Sequence, residues 1–467
     1  MTEISPQEAG SAKSAKSAGS AESAESAESS RPTPTAPLAE PSGPGRSSTR
    51  RAVAAASIGN ALEWFDLVVY ALMASYIGRA FFPADDPGVQ LVQTYAVFGI
   101  TYLIRPIGGL LIGAYADRHG RKKALMLSIR LMVVGTLMMA FMPGYAAIGI
   151  LAPLGVVVAR LVQGFAAGGE FGAATSFLVE RNEQRKSFLG SFQFASQGLS
   201  TLMAAAFAAG LTATLSEDQM TSWGWRVPFV FGLLIGPVGY FVRRYVDESP
   251  VSPTSQVSQV SPSPSPSPSP IRAVFRHHWS GLLIAGGALV VSTALNFILQ
   301  YLPTFGIKEL GLDDSLSFVA LFVAGAILTF GTPVVGLLAD RFGRLRIMVP
   351  AALLIGASAV PLFLWLTRSP SFLTLVLCMA ILGLLKAAYF GALPSVMSDA
   401  FPAEARATGL SFSYNTTVAV FGGFTPTIAA ALVTATGSQV SPGYYLLAVA
   451  FVSVAALGAG ARFHGIR

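Results

Sequence analysis

Glu63, Asp66, Arg105, Arg160 and Lys386 stand inside stretches of the chain that are otherwise apolar. Charge surrounded by hydrocarbon is costly, so each is a candidate for handling a proton or an ion. Glu63 and Asp66 lie three residues apart, on one face of any helix that carries them, and Asn60 and Tyr70 extend that face. On a helix counted from Arg51, Glu63 is ~18 Å deep and Asp66 ~22 Å; Arg105, counted back from Asp117, is also ~18 Å deep. The depths match, which predicts that Arg105 pairs with the Glu63/Asp66 cluster in at least one state. Burial disfavours a carboxylate's charge and a neighbouring arginine favours it, so separating the two switches proton affinity. The same residues also fit a permanent ion pair that holds two helices together.

Lys386 lies ~22 Å into its own apolar run, and no acidic residue of the later half of the chain is evident at that depth. An anionic substrate would complete it; loss of its proton, or pairing with the first helix across a cavity, would serve as well. Gln193 and Gln197 are i, i+4 neighbours, as are Asn296 and Gln300, and Tyr414 is followed by Asn415. Such side chains in apolar helices act as ligands or as interhelical glue. Gln197, Asn296, Gln300, Tyr414 and Asn415 are the candidate substrate ligands, beside Arg160 and Lys386. Chemistry of other kinds lacks its parts. The four histidines have no Cys, Asp or Glu at metal-ligand spacing, Cys378 is the one cysteine, and no Gly-x-x-x-x-Gly-Lys phosphate loop occurs. No metal, cofactor or enzymatic activity is expected, and any work must draw on a gradient rather than on ATP.

The elements that hold these residues read as membrane helices. Of 467 residues, 52% are hydrophobic and 12% charged, about half the charge of a soluble domain. Apolar runs fit twelve spanning helices near 53–79, 93–116, 124–142, 146–170, 187–214, 226–244, 278–303, 315–338, 347–366, 371–397, 407–433 and 443–461. Residues 1–50 are low in complexity with little to bury, and are expected to form a disordered cytoplasmic tail. Residues 246–272, rich in Ser-Pro repeats, read as a solvated cytoplasmic linker. That leaves 51–245 and 273–467 as two six-helix bundles. The net charge of +7 does not point to nucleic acid, because fifteen basic residues fall in alternate loops and four in the others. This bias places both termini in the cytoplasm. The expectation is a multi-pass protein of the inner (plasma) membrane, partnered by the lipid bilayer and acting as a monomer.

The stretch Gly113–Lys123 reads Gly-Ala-Tyr-Ala-Asp-Arg-His-Gly-Arg-Lys-Lys, and Gly336–Arg346 reads Gly-Leu-Leu-Ala-Asp-Arg-Phe-Gly-Arg-Leu-Arg. Their aspartates, Asp117 and Asp340, are 223 positions apart. Duplication on this scale marks secondary transporters, whose halves rock around a central site. The doubled turn resembles that of the major facilitator superfamily. The phrases Gly59–Asp66, Arg105–Gly109, Arg160–Phe165, Gly168–Gly172, Trp223–Phe229 and Phe421–Pro426 narrow the resemblance to its metabolite:proton symporters. Phe141–Ala146, Leu215–Met220 and Ser441–Tyr444 look closest to the citrate and related organic-acid carriers. The resemblance implies an all-α membrane protein of twelve transmembrane helices in two pseudo-symmetric six-helix bundles. It also implies a coupling role for Arg160, and it makes Asp117, Arg118, Arg121, Asp340, Arg341 and Arg344 parts of a cytoplasmic latch, with Glu170 as a gate partner.

The expected function is proton-coupled symport that takes up a small organic anion, a di- or tricarboxylate such as citrate, by alternating access. Glu63 and Asp66 are the expected proton sites, with Arg105 and Arg160 modulating them. A zwitterionic osmolyte or an aromatic acid fits the same fold, and so does efflux by antiport. A non-transporting membrane sensor is the remaining class.

Overall fold

The computed structural model describes residues 46–119, 121–234, 236–238 and 270–466, with no strand among them. The tail up to Gly45 and almost all of the Ser-Pro linker lie outside the described residues. Helix α1 runs Arg46–Leu72 and, beyond a 68° bend, continues as Ala74–Phe81. Helix α2 comprises Pro87–Leu103 and Arg105–His119, α3 is Arg121–Phe141, and α4 comprises Leu151–Ala167 and Glu170–Glu180. Helix α5 is Lys186–Thr214 and α6 spans Gly224–Val238. The later half contains α7 (Trp279–Leu310), α8 (Asp314–Phe342), α9 (Arg344–Arg368), α10 (Phe372–Asp399), α11 (Ala403–Thr436) and α12 (Ser441–Phe463).

Among the described residues, nine spans are long and apolar enough to cross a membrane, the bent α1 is a tenth, and α3 and α6 supply shorter apolar helices. Each of the twelve expected runs is met by one of these. Outer faces carry exposed apolar side chains such as Phe330 and Phe451, as helices in hydrocarbon require. Helix α7 is the inner one, with 83% of its apolar window buried against 33% for α12. Helix α1 is central too: Val68, Val69 and Leu72 are all buried among neighbouring helices.

Helix α2 is interrupted at Ile104, where Pro106 has no N–H to give to the Tyr102 carbonyl. The interruption is held against α4 by a seam with no room for side chains. A Cβ on Gly164 would stand 1.9 Å from the Thr101 carbonyl oxygen, and one on Gly168 2.0 Å from that of Arg105. The backbone of Arg105 is therefore fixed by contact with α4, which lets its side chain be aimed. The second copy of the repeated turn uses glycine differently. Gly343 has φ +99° between α8 and α9, a conformation open to glycine at little cost.

Two expectations follow from this packing. Gly164→Leu and Gly168→Val force α2 from α4 and should abolish monodisperse protein in size-exclusion chromatography, since overpacking costs about 1–3 kcal/mol or more. Gly210→Ala, with nothing within 4 Å of the new Cβ, should leave the elution profile unchanged. At the other end of α8, the Asp313 carboxylate accepts from the Leu316 N–H at 3.0 Å and the Ser315 hydroxyl at 2.7 Å. The Leu316 bond, foremost, holds this carboxyl below the usual carboxylate range. Its stabilisation is full above the unfolded pKa and is lost as pH falls through the folded one. Asp313→Ala should thus lower stability by at most about 1 kcal/mol at neutral pH, less for so exposed a group, and the gap should close in acid; thermal unfolding across pH reads it.

Candidate functional site

The carboxylates expected to act as one cluster are split between two partners. Asp66 is fully buried, and its Oδ2 accepts from the Thr136 hydroxyl of α3 and from Gln163 Nε2 of α4 at 3.0 Å. Gln163 Oε1 accepts in turn from Arg160 Nη1 at 2.8 Å. Asp66 thus meets Arg160 through an amide, and the two charges are close enough to interact. Glu63 instead faces Arg105, Oε1 to Nη2 at 3.9 Å. In this structure, then, Arg105 faces Glu63 of the expected cluster, and Asp66 bonds elsewhere. Residues three apart on a helix are separated by about 60° around its axis, enough for one to look toward α2 and the other into the space between α3, α4 and α6.

Both arginines rest on aromatic rings. The Arg160 guanidinium carbon lies 3.9 Å from the centroid of Tyr70 and 5.6 Å from that of Phe229; for Arg105 the rings are Tyr102 at 4.6 Å and Trp64 at 5.3 Å. A desolvated guanidinium over a ring gains on the order of 2 kcal/mol. That gain leaves hydrogen-bonding capacity unused. Among the described residues, Nε and Nη2 of both arginines, and Oδ1 of Asp66, are buried without a hydrogen-bond partner. An unmet donor of this kind is costly to leave.

The aromatic cluster reaches the other half. Phe297 of α7 lies 5.3 Å from Tyr102, 5.7 Å from Phe98 and 6.5 Å from Trp64, centroid to centroid. Its neighbour Asn296 accepts a hydrogen bond from Lys386 of α10, whose Nζ also stands 4.8 Å from the Phe390 centroid. Lys386 is 2% exposed, and among the described residues no carboxylate reaches it. Among the described residues, α1 brings no carboxylate to Lys386 in this structure. Gln300, one turn along from Asn296, is buried with its Oε1 unbonded.

The remaining candidates join the halves. Gln197 of α5 donates to the Tyr414 hydroxyl at 3.3 Å, and Tyr414 stacks on Phe171 of α4. Tyr414 is near enough to Arg105 and Glu63 for their charges to act on it. Asn415 donates to the Gly168 carbonyl at 2.7 Å and to Ser411 at 2.9 Å, which leaves its Oδ1 unbonded. Asn60 and Gln193 bond one another and tie α1 to α5.

Near the repeated turn, Asp340 of α8 accepts from the Ser187 and Phe188 N–H groups at 2.8 and 2.9 Å, at the start of α5. Arg344 and Lys186 share the carboxylate of Asp399, and Arg406 bonds Glu180 at 2.8 Å. Arg341 is exposed and its guanidinium lies over the ring of the adjacent Phe342, outside this network. Glu170 is half-buried at the start of the second α4 segment. The side chains of Asp117, Arg118 and Arg121 lie outside the described residues. At the opposite end, Tyr76 of α1 donates to Asp314 of α8 at 2.8 Å and Tyr95 of α2 to Thr304 of α7 at 3.2 Å. The halves are bonded both near the repeated turn and at the opposite end.

Sequence reading passed over Thr136, Gln163, Lys186 and Asp399 as site members. Gln163 stood inside the Arg160–Phe165 phrase, which was the one signal available. Nothing around Thr136 marks it.

Comparison with known proteins agrees with this architecture. The family model described as Major Facilitator Superfamily matches residues 56–365 and 319–464. The chain is 38% identical to a citrate-proton symporter of Klebsiella pneumoniae over 398 residues, which cover 85% of this chain and 88% of that one. It is 33% identical to a glycine betaine/proline/ectoine/pipecolic acid transporter of Dickeya dadantii over 412 residues, covering 87% and 82%. Its fold is similar to a partially occluded inward-open structure of a xylose transporter from E. coli, with TM-score 0.65 and 15% identity, covering 89% of this chain and 98% of that one. The chain belongs to the major facilitator superfamily, and is a multi-pass membrane transporter.

Proposed function

We propose that this chain is a proton-coupled symporter that takes up a small organic anion, a di- or tricarboxylate such as citrate. One observation carries the choice of an anion: Lys386 is buried with a neutral amide as its hydrogen-bond acceptor. A carboxylate arriving beside Asn296 would supply the missing countercharge, and burying a cation without one is costly. The citrate-proton symporters of Klebsiella pneumoniae and Salmonella typhi, 38% and 35% identical, support the same reading. The betaine and proline transporters among the relatives favour a zwitterion as the second reading.

In this proposal Asp66 and Glu63 carry protons, Arg160 and Arg105 bias them, and Lys386 with Arg160 supplies the cationic ligands. Gln197, Asn296, Gln300, Tyr414 and Asn415 complete the binding region. The residues 51–245 and 273–467 rock about it as two bundles, latched on the cytoplasmic side through Asp340 and Arg344 and, by the same repeat, Asp117. The basic bias of alternate loops supports an inner-membrane protein with both termini in the cytoplasm.

Radiolabelled citrate uptake in cells lacking their own carriers tests the reading. Uptake should rise at acid pH and collapse with a protonophore; no movement of any carboxylate by well-expressed protein would remove the substrate class. Lys386→Gln should reduce citrate uptake about ten-fold or more, as loss of a charged hydrogen bond implies. Asp66→Asn should retain citrate exchange across the membrane but lose proton-driven accumulation.

A further inference from the structure

We propose that Thr136 and Gln163 set the proton affinity of Asp66, Thr136 as a hydrogen-bond switch that reverses when Asp66 takes the proton and Gln163 as a fixed amide between Asp66 and Arg160. The proposal rests on the reading of Asp66 as a proton site. Thr136 has one hydroxyl hydrogen and two acceptors in reach, Asp66 Oδ2 and the Met132 carbonyl oxygen at 3.0 Å. With the carboxylate ionised, that hydrogen points at Oδ2, because a charged acceptor outcompetes a neutral carbonyl. With the carboxyl protonated on Oδ2, its O–H becomes the donor. Thr136 Oγ1 then accepts, and the Thr136 hydrogen turns to Met132. The hydroxyl is satisfied in both states, with no side chain having to move.

Gln163 links this pair to the guanidinium. Its Nε2 lies 3.0 Å from Asp66 Oδ2 and 3.1 Å from Thr136 Oγ1, and its Oε1 holds Arg160 Nη1 at 2.8 Å. Flipping the amide would set Oε1 against the carboxylate and the amide nitrogen against a cation, so its orientation is fixed by both ends. Gly232 of α6 closes the remaining side. A Cβ there would be 2.2 Å from Asp66 Oδ1, and that oxygen has no donor. An ionised Asp66 therefore has one oxygen well served and one bare, whereas the acid protonated on Oδ2 fits the same cage with no bare charge.

Among the described residues, few groups face Asp66. Helix α3 contributes Thr136, α4 contributes Arg160 and Gln163, and α6 contributes backbone at Gly232 with Phe229 over Arg160. Arg160 is the charged neighbour; Tyr70 of α1 and Tyr102 of α2 are titratable groups whose influence falls on it. Glu63, on the same helix as Asp66, is paired with Arg105. Thr136 and Gln163 are thus positioning residues, acting through Asp66.

Infrared difference spectroscopy on the full chain in lipid, titrated with pH, tests this without a substrate. The carboxylic C=O band that disappears in Asp66→Asn reports Asp66. In Thr136→Val, nearly isosteric but without the hydroxyl, and in Gln163→Leu, the midpoint of that band should be displaced by about one pH unit, the size of one hydrogen bond to a charged group. Thr136→Ser should restore the wild-type midpoint. An unchanged midpoint in well-folded Thr136→Val and Gln163→Leu overturns the switch and leaves Asp66 as the proton site. If Asp66→Asn removes no titrating band, the proton-site reading itself fails, and the switch with it.

Discussion

Arg160 has no water to turn to. Buried at the centre of the first half, it is held by one amide oxygen, one tyrosine face and the nearby charge of Asp66. The cost of keeping that charge dry governs its surroundings. It requires Gln163 at the next turn of the same helix, Tyr70 beneath the guanidinium, and a glycine at 232 so that α6 can close over Asp66. A well-packed apolar set would be cheaper in stability, and buried ionic groups are therefore weak devices for holding a fold together. They are strong devices for making one conformation depend on a proton.

The second half solves the same problem with fewer parts. Lys386 has Asn296 and the face of Phe390. The two cationic regions are separated by the cluster of Trp64, Phe98, Tyr102 and Phe297, which joins α1, α2 and α7. Gly422 and Gly423 of α11 press onto Phe297 and Tyr102 from the π-helical turn Ala419–Gly423. Such turns inside α-helices recur at functional sites. The contact between halves is thus largely aromatic around Phe297, with the Gln197–Tyr414 and Asn415–Gly168 hydrogen bonds beside it, while further hydrogen bonds and ion pairs fasten the two ends.

Relatives that share a third of this sequence carry names for citrate or for betaine and proline. That division is intelligible if the scaffold fixes the proposed proton-handling residues on α1, α3 and α4, of which Arg160 also serves the substrate, and the choice of substrate falls to further ligands such as those on α7 and α10. The glycine seam between α2 and α4 serves the first set by fixing the Arg105 backbone. Changes near Asn296, Gln300 and Lys386 leave that seam untouched.

Much of this was legible in the sequence because hydropathy and repetition are one-dimensional signals. The twelve apolar runs, the doubled Asp-Arg-x-Gly-Arg turn and the positions of Glu63, Asp66, Arg105, Arg160 and Lys386 each followed from composition along the chain, and depth from counting at a fixed rise. Direction around a helix axis is not written that way. Glu63 and Asp66 share a face by spacing, yet the crossing of α2, α3 and α4 sends one to Arg105 and the other to Gln163 and Thr136. Thr136 is 70 residues from Asp66, and Lys186 is 213 from Asp399; no local pattern encodes either contact. The sequence by itself determined which charges stand inside apolar runs. Only the tertiary structure decided which partner each one meets, because that choice depends on helix rotation and close glycine packing, which no linear spacing records.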